Sequence, residues 1–253
     1  IAAGRLVFVR GGTLIAQPID PGSGRLPVDG VPFDAGVPFA SVANYAPVTI
    51  SASGVLVYGG AGQGSLAVTQ LTWFDREGKR LGTVGVQGPV RDPALSPDGR
   101  AVVFGRVSTS GADLWLRALD REVEQRFTAD SGVVNLEPTW SPRGDRIAFR
   151  SGSDLLEKRA EGSGVAQVLM EGGPLKSPTD WSRDGRYLVF TDQGAKTSLD
   201  IWFLPRDSPG RKPVPFLQSA SNEFFARLSP DSRWMAYASD ESGRSEVYVR
   251  PFP

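Results

Sequence analysis

Leu95-Ser96-Pro97-Asp98-Gly99-Arg100 is a six-residue motif that recurs along this chain of 253 residues. Its proline presets φ at the second position of a turn, its aspartate can bond the local backbone, and its glycine accepts positive φ. Apolar residues stand before and after the motif, as they do around the tip of a β-hairpin. The motif therefore predicts a tight turn that joins two strands, with a structural and not a catalytic role.

Similar motifs divide the sequence into repeats. They occur at residues 140–145, 181–186 and 228–233, with weaker versions at 50–54 and 1–4. The glycine position of the motif falls at residues 4, 54, 99, 144, 185 and 232, so the steps are 50, 45, 45, 41 and 47 residues. A period of about 40–50 residues with strands in each unit is typical of propeller blades. The sequence thus predicts an all-β fold: a β-propeller of about six four-stranded antiparallel blades, or a seven-bladed propeller with one blade missing.

Each motif is followed by a short apolar run, and an aromatic residue stands at the same place in four of these runs. These residues are Phe104, Phe149, Phe190 and Tyr237. Because the runs do not alternate between apolar and polar residues, they predict strands buried on both faces. An acidic residue precedes the third strand of four repeats, and its repetition at equivalent places indicates a structural role. These acids are Asp113, Asp154, Asp200 and Glu246.

The composition excludes several classes of function. Lys and Arg together number 28, as do Asp and Glu, and no segment is strongly basic, so the charge pattern of a nucleic-acid binder is missing. The sequence has no His and no Cys, which excludes Ser-His-Asp and Cys-His catalysis, the usual zinc ligand sets and disulfides. Carboxylate chemistry and calcium binding stay possible in principle. We expect no metal and no cofactor.

The apolar runs are too short to span a bilayer, so we expect no direct membrane insertion. Residues 1–253 are interpreted as one propeller domain and as a fragment of a longer chain. The first and last repeats each show only three of the four strands of a blade. Self-association through these incomplete terminal blades is therefore an expected possibility, because an open blade exposes an unpaired strand edge.

The unit of turn, strand, acid and strand resembles the WD40-like Pro-Asp repeat of TolB and its relatives. A more specific phrase is Glu241-Ser242-Gly243-Arg244-Ser245-Glu246-Val247-Tyr248-Val249-Arg250-Pro251-Phe252-Pro253. Together with Gln70-Leu71-Thr72-Trp73-Phe74-Asp75-Arg76, it resembles the propeller region that follows the catalytic domain in a group of bacterial serine/threonine protein kinases. The resemblance covers nearly the whole chain.

This resemblance implies an accessory domain and not an enzyme, because the chain contains no kinase motif such as His-Arg-Asp or Asp-Phe-Gly. It implies a sensor or binding platform for a protein, a peptide or a small polar ligand. It also implies a place on the extracytoplasmic side of a bacterial membrane protein, with a cytoplasmic location as the alternative. Two other functions stay open, a carboxylate-dependent glycosidase-like propeller and the gating propeller of a serine peptidase.

Ligands of propellers usually bind where the first strands begin, because loops from every blade converge at that mouth of the channel. We expect the residues just upstream of each turn motif to line it. They mix both charges with amide and aromatic groups, which suits a polar ligand or a peptide better than a nucleic acid. The candidates are Asn44, Tyr45, Arg91, Asp92, Asn135, Glu137, Asp180, Glu223 and Arg227. An exposed edge near Tyr248 and Phe252 is the alternative site.

Overall fold

The computed structural model describes residues 5–10, 13–20, 22–23, 25–35, 48–50, 56–59, 68–75, 79–129, 132–194, 198–207, 210 and 212–253. All the regular elements in these ranges are β-strands, 22 in number. Two compact units divide the chain, one covering Ala2–Pro138 and the other Thr139–Pro253. The all-β class predicted from the repeats is therefore confirmed.

The first unit contains three sheets of antiparallel strands in chain order. The first sheet consists of β1 (Arg5–Arg10), β2 (Thr13–Pro18) and β3 (Val31–Ala35). The second consists of β4 (Val48–Ile50), β5 (Leu56–Gly59), β6 (Thr69–Phe74) and β7 (Arg80–Gly88). The third consists of β8 (Val90–Leu95), β9 (Ala101–Ser108), β10 (Gly111–Ala118) and β11 (Glu124–Arg126).

Three further sheets follow in the same chain order. The fourth sheet consists of β12 (Asn135–Trp140), β13 (Arg146–Ser151), β14 (Asp154–Arg159) and β15 (Gln167–Met170). The fifth consists of β16 (Lys176–Trp181), β17 (Tyr187–Gln193), β18 (Leu199–Pro205) and β19 (Val214–Leu217). The sixth consists of β20 (Glu223–Leu228), β21 (Trp234–Ser239) and β22 (Glu246–Pro251).

The strand counts correct one expectation. Four of the described sheets hold four strands, whereas the first and the sixth hold three each, as the incomplete first and last repeats indicated. The prediction of about six four-stranded blades is therefore wrong at both ends of the series of sheets. The seven-bladed alternative does not match these sheets either. The physical reason is that the turn motif marks a single hairpin in each repeat. It therefore does not determine how many strands pair on either side of that hairpin.

The turn motif is held by a small hydrogen-bond network. Ser96 Oγ donates to Asp98 Oδ1 at 2.6 Å and accepts the backbone N–H of Ala101 at 2.9 Å. Asp98 also accepts the N–H of Arg100 at 3.0 Å, and Gly99 N–H donates to the Ser96 carbonyl. The hydrogen bond from Ser96, followed by that from Arg100, lowers the pKa of Asp98. In each of the four described turns the motif serine also accepts a backbone N–H five residues later, so its side chain closes the hairpin tip.

The glycine of the motif adopts positive φ, as the turn prediction requires. The φ angles are 71° at Gly99, 72° at Gly144 and 78° at Gly185. In the last repeat the same place is taken by Ser232, which has φ 55°. Since a side chain in this region is strained, the last turn keeps its shape at a conformational cost that the other three avoid.

These turns yield paired predictions of opposite sign. Replacing Ser232 by Gly should raise the free energy of unfolding by about 1 kcal/mol, because the left-handed strain is removed. Replacing Gly99 by Val should lower it by about 1–3 kcal/mol, because a β-branched residue is forced to positive φ. No atom lies within 4 Å of a Cβ placed on Gly99, so a steric clash does not confuse the result. Urea unfolding measures both, and a loss of stability in both variants would contradict the turn assignment.

The aromatic residues of the second strands form the cores of the two units. Phe104, Phe149, Phe190 and Tyr237 are each exposed by 2% or less, which confirms their predicted burial. In the first unit, Phe104 packs with Leu71 and Val102. In the second unit, the residues around Phe190 and Tyr237 form two separate clusters.

The phrase at the end of the sequence has a packing role. Phe252 lies just after β22 and is only 6% exposed, so its side chain is not part of the exposed edge expected near Tyr248 and Phe252. Its ring meets Tyr187, Phe203 and Phe216 at centroid distances of 5.4, 5.3 and 5.5 Å. Its backbone N–H donates to the carbonyl of Arg233 at 2.8 Å. Phe252 therefore anchors the end of the sixth sheet against the fifth sheet.

Candidate functional site

The structure places most of the candidate site residues on the first strand of a sheet. Arg91 and Asp92 lie on β8, and Asn135 and Glu137 lie on β12. Asp180 lies on β16, and Glu223 and Arg227 lie on β20. Asn44 and Tyr45 lie outside the described residues. Each unit is considered by itself below.

In the first unit, two candidate residues stand at strained backbone positions. Asp92 has φ 50° and Glu137 has φ 57°, and each precedes the serine of its turn motif by four residues. Asp92 Oδ2 accepts the backbone N–H of Glu137 at 3.2 Å. The Asp92 carboxylate thereby joins β8 to β12, so one of its functions is structural.

Asn135 is the most unusual candidate of the first unit. Its side chain is fully buried, and neither amide atom has a hydrogen-bond partner among the residues that the structure describes. A buried polar group without a partner costs about 1–3 kcal/mol, so most such groups in proteins are satisfied. Asn135 therefore marks a point where a bound group could supply the missing hydrogen bonds.

In the second unit, Asp180 and Arg227 differ in environment from Glu223. Asp180 Oδ2 accepts the N–H of Leu228 at 2.7 Å, which joins β16 to β20. Arg227 is exposed. Glu223 is only 2% exposed, and Ser219 Oγ donates to its Oε1. Its Oε2 has no hydrogen-bond partner within the described part of the chain. The structure thus keeps Glu223 as a site candidate and gives Asp180 a structural partner.

Sequence reasoning missed one residue at the corresponding place of β16. Lys176, like Asn135 and Glu223, precedes the serine of its turn motif by six residues and is buried. Its Nζ donates to the carbonyls of Gly172 and Pro174. This fixed offset is the sequence signal that could have revealed Lys176. The position six residues before the motif serine carries a polar side chain in three successive sheets.

Lys176 and two acids lie side by side on three neighbouring strands of the fifth sheet, and these three residues are called a row below. Asp192 lies directly opposite Lys176 on β17, and Asp200 lies opposite Asp192 on β18. Burial raises the pKa of Asp192, the charge of Lys176 opposes this rise, and the charge of Asp200 adds to it. The row therefore carries more negative than positive charge when all three groups are ionised.

Three of the four acids that precede the third strands make the kind of structural contact that their repetition indicated; the fourth, Glu246, pairs with Arg244 two residues away. Asp113 accepts from Thr128 Oγ1 at 2.9 Å, and Asp154 accepts from the N–H of Gly172 at 2.6 Å. Asp200 accepts from Gln218 Nε2 at 3.3 Å. Each of these last three partners lies just after the fourth strand of the sheet. The three acids therefore join the start of the third strand to the segment that leaves the sheet.

Glu223 is the centre of what we call the Glu223 cluster, which contains Asp200, Glu223, Tyr237, Asp240 and Glu241. Burial raises the pKa of Glu223, the hydrogen bond from Ser219 lowers it, and the charges of Asp200, Glu241 and Asp240 raise it further. Tyr237 is 1% exposed, and its hydroxyl has no hydrogen-bond partner among the described residues. Burial also raises the pKa of Tyr237. The cluster thus combines the buried side chains of Asp200, Glu223 and Tyr237 with the half-buried Asp240 and the exposed Glu241.

Comparison with known proteins identifies the fold. No protein-family model matches the chain. TolB from Acinetobacter baumannii superposes with a TM-score of 0.74 at 17% identity, over 98% of this chain and 61% of that one. The putative TolB from Agrobacterium tumefaciens superposes with a TM-score of 0.66 at 18% identity, over 81% of this chain and 76% of that one. The fold is a TolB-like β-propeller.

One curated relative resembles part of this propeller in sequence. It is the "Tricorn protease homolog 1" of Streptomyces coelicolor, which is 30% identical over 132 residues. The match covers 47% of this chain and 11% of that protein, so the propeller corresponds to a small part of the longer relative.

The Glu223 carboxyl of the propeller gives a pH-dependent prediction. Replacing Glu223 by Gln keeps an oxygen to accept from Ser219 and removes the buried charge. Because the folded state raises the pKa of Glu223, its ionised form is unfavourable at neutral pH. The variant should therefore be more stable than the wild type at neutral pH. This difference should shrink as the pH falls through the raised pKa, since the wild-type carboxyl is then protonated. Urea unfolding across this range measures the difference, and a constant value would contradict the prediction.

Within the described ranges, no group of three or more His, Cys, Asp or Glu residues could hold a metal ion. In the same part of the chain, no helix is long and apolar enough to cross a bilayer.

Proposed function

We propose that this propeller is a non-catalytic binding module for a protein, a peptide or a small polar ligand. The observation that carries the proposal is the Glu223 cluster, where a buried carboxylate oxygen and a buried tyrosine hydroxyl have no partner in the described residues. Such groups lose hydrogen bonds to water on folding and regain none, so a ligand that supplies them binds favourably. Asn135 provides a similar feature in the first unit.

The absence of catalysis is supported by the chemistry of the candidate residues. With no His or Cys in the sequence, acid and base chemistry would fall to carboxylates, Lys or Tyr. Two of the candidate carboxylates, Asp92 and Asp180, accept backbone N–H groups of the neighbouring sheet. Their geometry supports a scaffold that presents a binding surface.

The experiment is a binding screen with matched variants. The purified chain is titrated against a peptide array, and the affinity of each hit is measured again with Glu223→Gln, Asn135→Leu and Glu161→Gln. Glu161 is the control because its side chain is 64% exposed and lies away from the cluster in sequence. We expect at least one hit to lose about tenfold or more in affinity with one of the first two variants, and none with the control.

Two results would contradict this proposal. One is a set of hits whose affinities are unchanged in both site variants. The other is turnover of a glycoside or peptide substrate that Glu223→Gln abolishes, because this would make the carboxyl catalytic.

We further propose that the propeller is the accessory domain of a bacterial serine/threonine kinase on the extracytoplasmic side of the membrane. The support is the resemblance of residues 241–253 to the propeller region of such kinases, and Phe252 gives that phrase a packing function. A second candidate is the propeller of a peptidase, which the similarity to the tricorn protease homolog favours.

The coding sequence on both sides of this chain distinguishes the two. A kinase domain and a membrane helix upstream would support the first proposal, and a peptidase domain would overturn it. Reporter fusions test the extracytoplasmic location against the cytoplasmic alternative. Self-association through the two three-stranded sheets is part of the proposal, and light scattering over a range of concentrations tests it.

A further inference from the structure

We infer that the ligand of the Glu223 cluster presents a cationic nitrogen, an ammonium or guanidinium group. The inference rests on the proposed binding function and adds the chemical class of the bound group. It follows from three features of the cluster: the charges around Glu223, the hydrogen bonds that its side chains lack, and its connection to an exposed turn.

The charges that raise the pKa of Glu223 are those of three acids. One basic group lies near the cluster: the guanidinium of Arg250 is 6.0 Å from the centroid of the Tyr237 ring and lowers the pKa of that tyrosine. Asp200 lies on β18 of the fifth sheet, and Asp240 and Glu241 lie in the turn between β21 and β22. The nearest basic side chain in the same row as Asp200 is Lys176, which faces Asp192 and donates to two backbone carbonyls. Because like charges repel at short range, an anionic ligand is disfavoured here, and a cation relieves the repulsion.

The hydrogen-bond inventory also requires a donor. An ionised carboxylate only accepts, and Oε2 of Glu223 accepts from no described residue. Asp240 already accepts from the backbone and side-chain N–H groups of Asn222, at 2.8 and 2.6 Å. An ammonium group has three donors and a guanidinium has five, so either has enough donors for both Glu223 and the Tyr237 hydroxyl. A neutral hydroxyl ligand supplies a donor but leaves the negative charge uncompensated.

The turn between β21 and β22 connects this buried site to solvent. Glu241 is exposed and Asp240 is half-buried, while Glu223 and Tyr237 are almost fully buried. The acidic charge therefore extends from the surface to the buried carboxylate. A cation at the end of a flexible side chain can approach along this gradient, since exposed charge attracts the opposite sign before contact.

The test uses four capped tripeptides of sequence Gly-Xaa-Gly, in which Xaa is Lys, Arg, norleucine or Glu, with methylammonium chloride as a free amine. Affinities for the chain are measured by calorimetry. We expect the Lys or Arg peptide to bind at least about tenfold more tightly than the norleucine and Glu peptides. Glu223→Gln should abolish this preference, and Tyr237→Phe should weaken binding, whereas Glu161→Gln should change nothing. Thermal unfolding confirms that each variant is folded.

The outcomes separate this inference from the proposed function. Cationic peptides that bind equally well to Glu223→Gln, or that do not bind at all, overturn the inference. If the neutral or acidic peptide binds better and depends on Glu223, the inference fails while the binding function stands. If the affinity of every peptide, in the array and in this set, is independent of Glu223 and Asn135, both the inference and the proposed binding function fail. If methylammonium competes with the peptides and binds with a similar affinity, the ligand is a free amine. If the peptides bind and methylammonium does not, the ligand is a peptide side chain.

Discussion

Replacing Phe149 by Ala is expected to lower the free energy of unfolding by about 3–5 kcal/mol. Phe149 lies on β13, the second strand of its sheet, and its side chain is fully buried. Truncation removes the apolar area of the ring and leaves a cavity that the rigid strands fill only in part. Urea unfolding followed by circular dichroism measures the change.

The matched control is Val165→Ala, because Val165 is an apolar residue exposed by 96%. It should change the free energy of unfolding by less than about 0.5 kcal/mol. Equal effects at the two positions would mean that the second strands do not form the core.

Replacing Glu157 by Ala is expected to destabilise the protein by a similar amount, about 3–5 kcal/mol, for an electrostatic reason. Glu157 is 2% exposed and accepts from Arg146 at 3.2 Å and from Arg206 at 2.6 Å. The Arg206 side chain is only 9% exposed and lies over the ring of Trp181. Without the carboxylate, the buried guanidinium of Arg206 loses its ion pair with Glu157, and the loss of this buried pair carries most of the cost.

The control for this charge pair is Glu161→Ala. Arg159 and Glu161 also form an ion pair, at 3.7 Å, but their side chains are 66% and 64% exposed. Exposed pairs contribute about 0–1 kcal/mol, so the control should be nearly neutral. Added salt should weaken the exposed pair and leave the effect of Glu157 almost unchanged. If Glu157→Ala were as mild as its control, the buried pair would have no stabilising role.

The parts of the fold that sequence could predict depend on residues close together in the chain. The positive φ of Gly99 and the burial of Phe149 follow from a turn motif and an apolar run, each only a few residues long. The number of strands in each sheet depends on pairing between segments that carry no such motif, and here the prediction was wrong. The packing of Phe252 on Phe203 joins residues 49 positions apart, and no local pattern reveals it.

The candidate site was predictable in its location more than in its chemistry. The offset from the turn motif led to Asn135 and Glu223, which are buried and have unsatisfied polar atoms in the described structure. It did not show that Asp92 and Asp180 accept backbone N–H groups 45 and 48 residues away. Those contacts arise when sheets pack side by side, so they require the tertiary structure.

One position on the first strands varies widely in side chain although the hairpin after it is the same. The place four residues before the motif serine holds Asp92, Glu137, Pro178 and Phe225 in successive sheets, and the three that are not proline all have positive φ. An acid, an imino acid and an aromatic residue are chemically unrelated, yet the same hairpin follows each of them. Mutation at this place can therefore change the side chain, which is buried at Pro178 and exposed at Phe225, while the hairpin that follows is inherited intact.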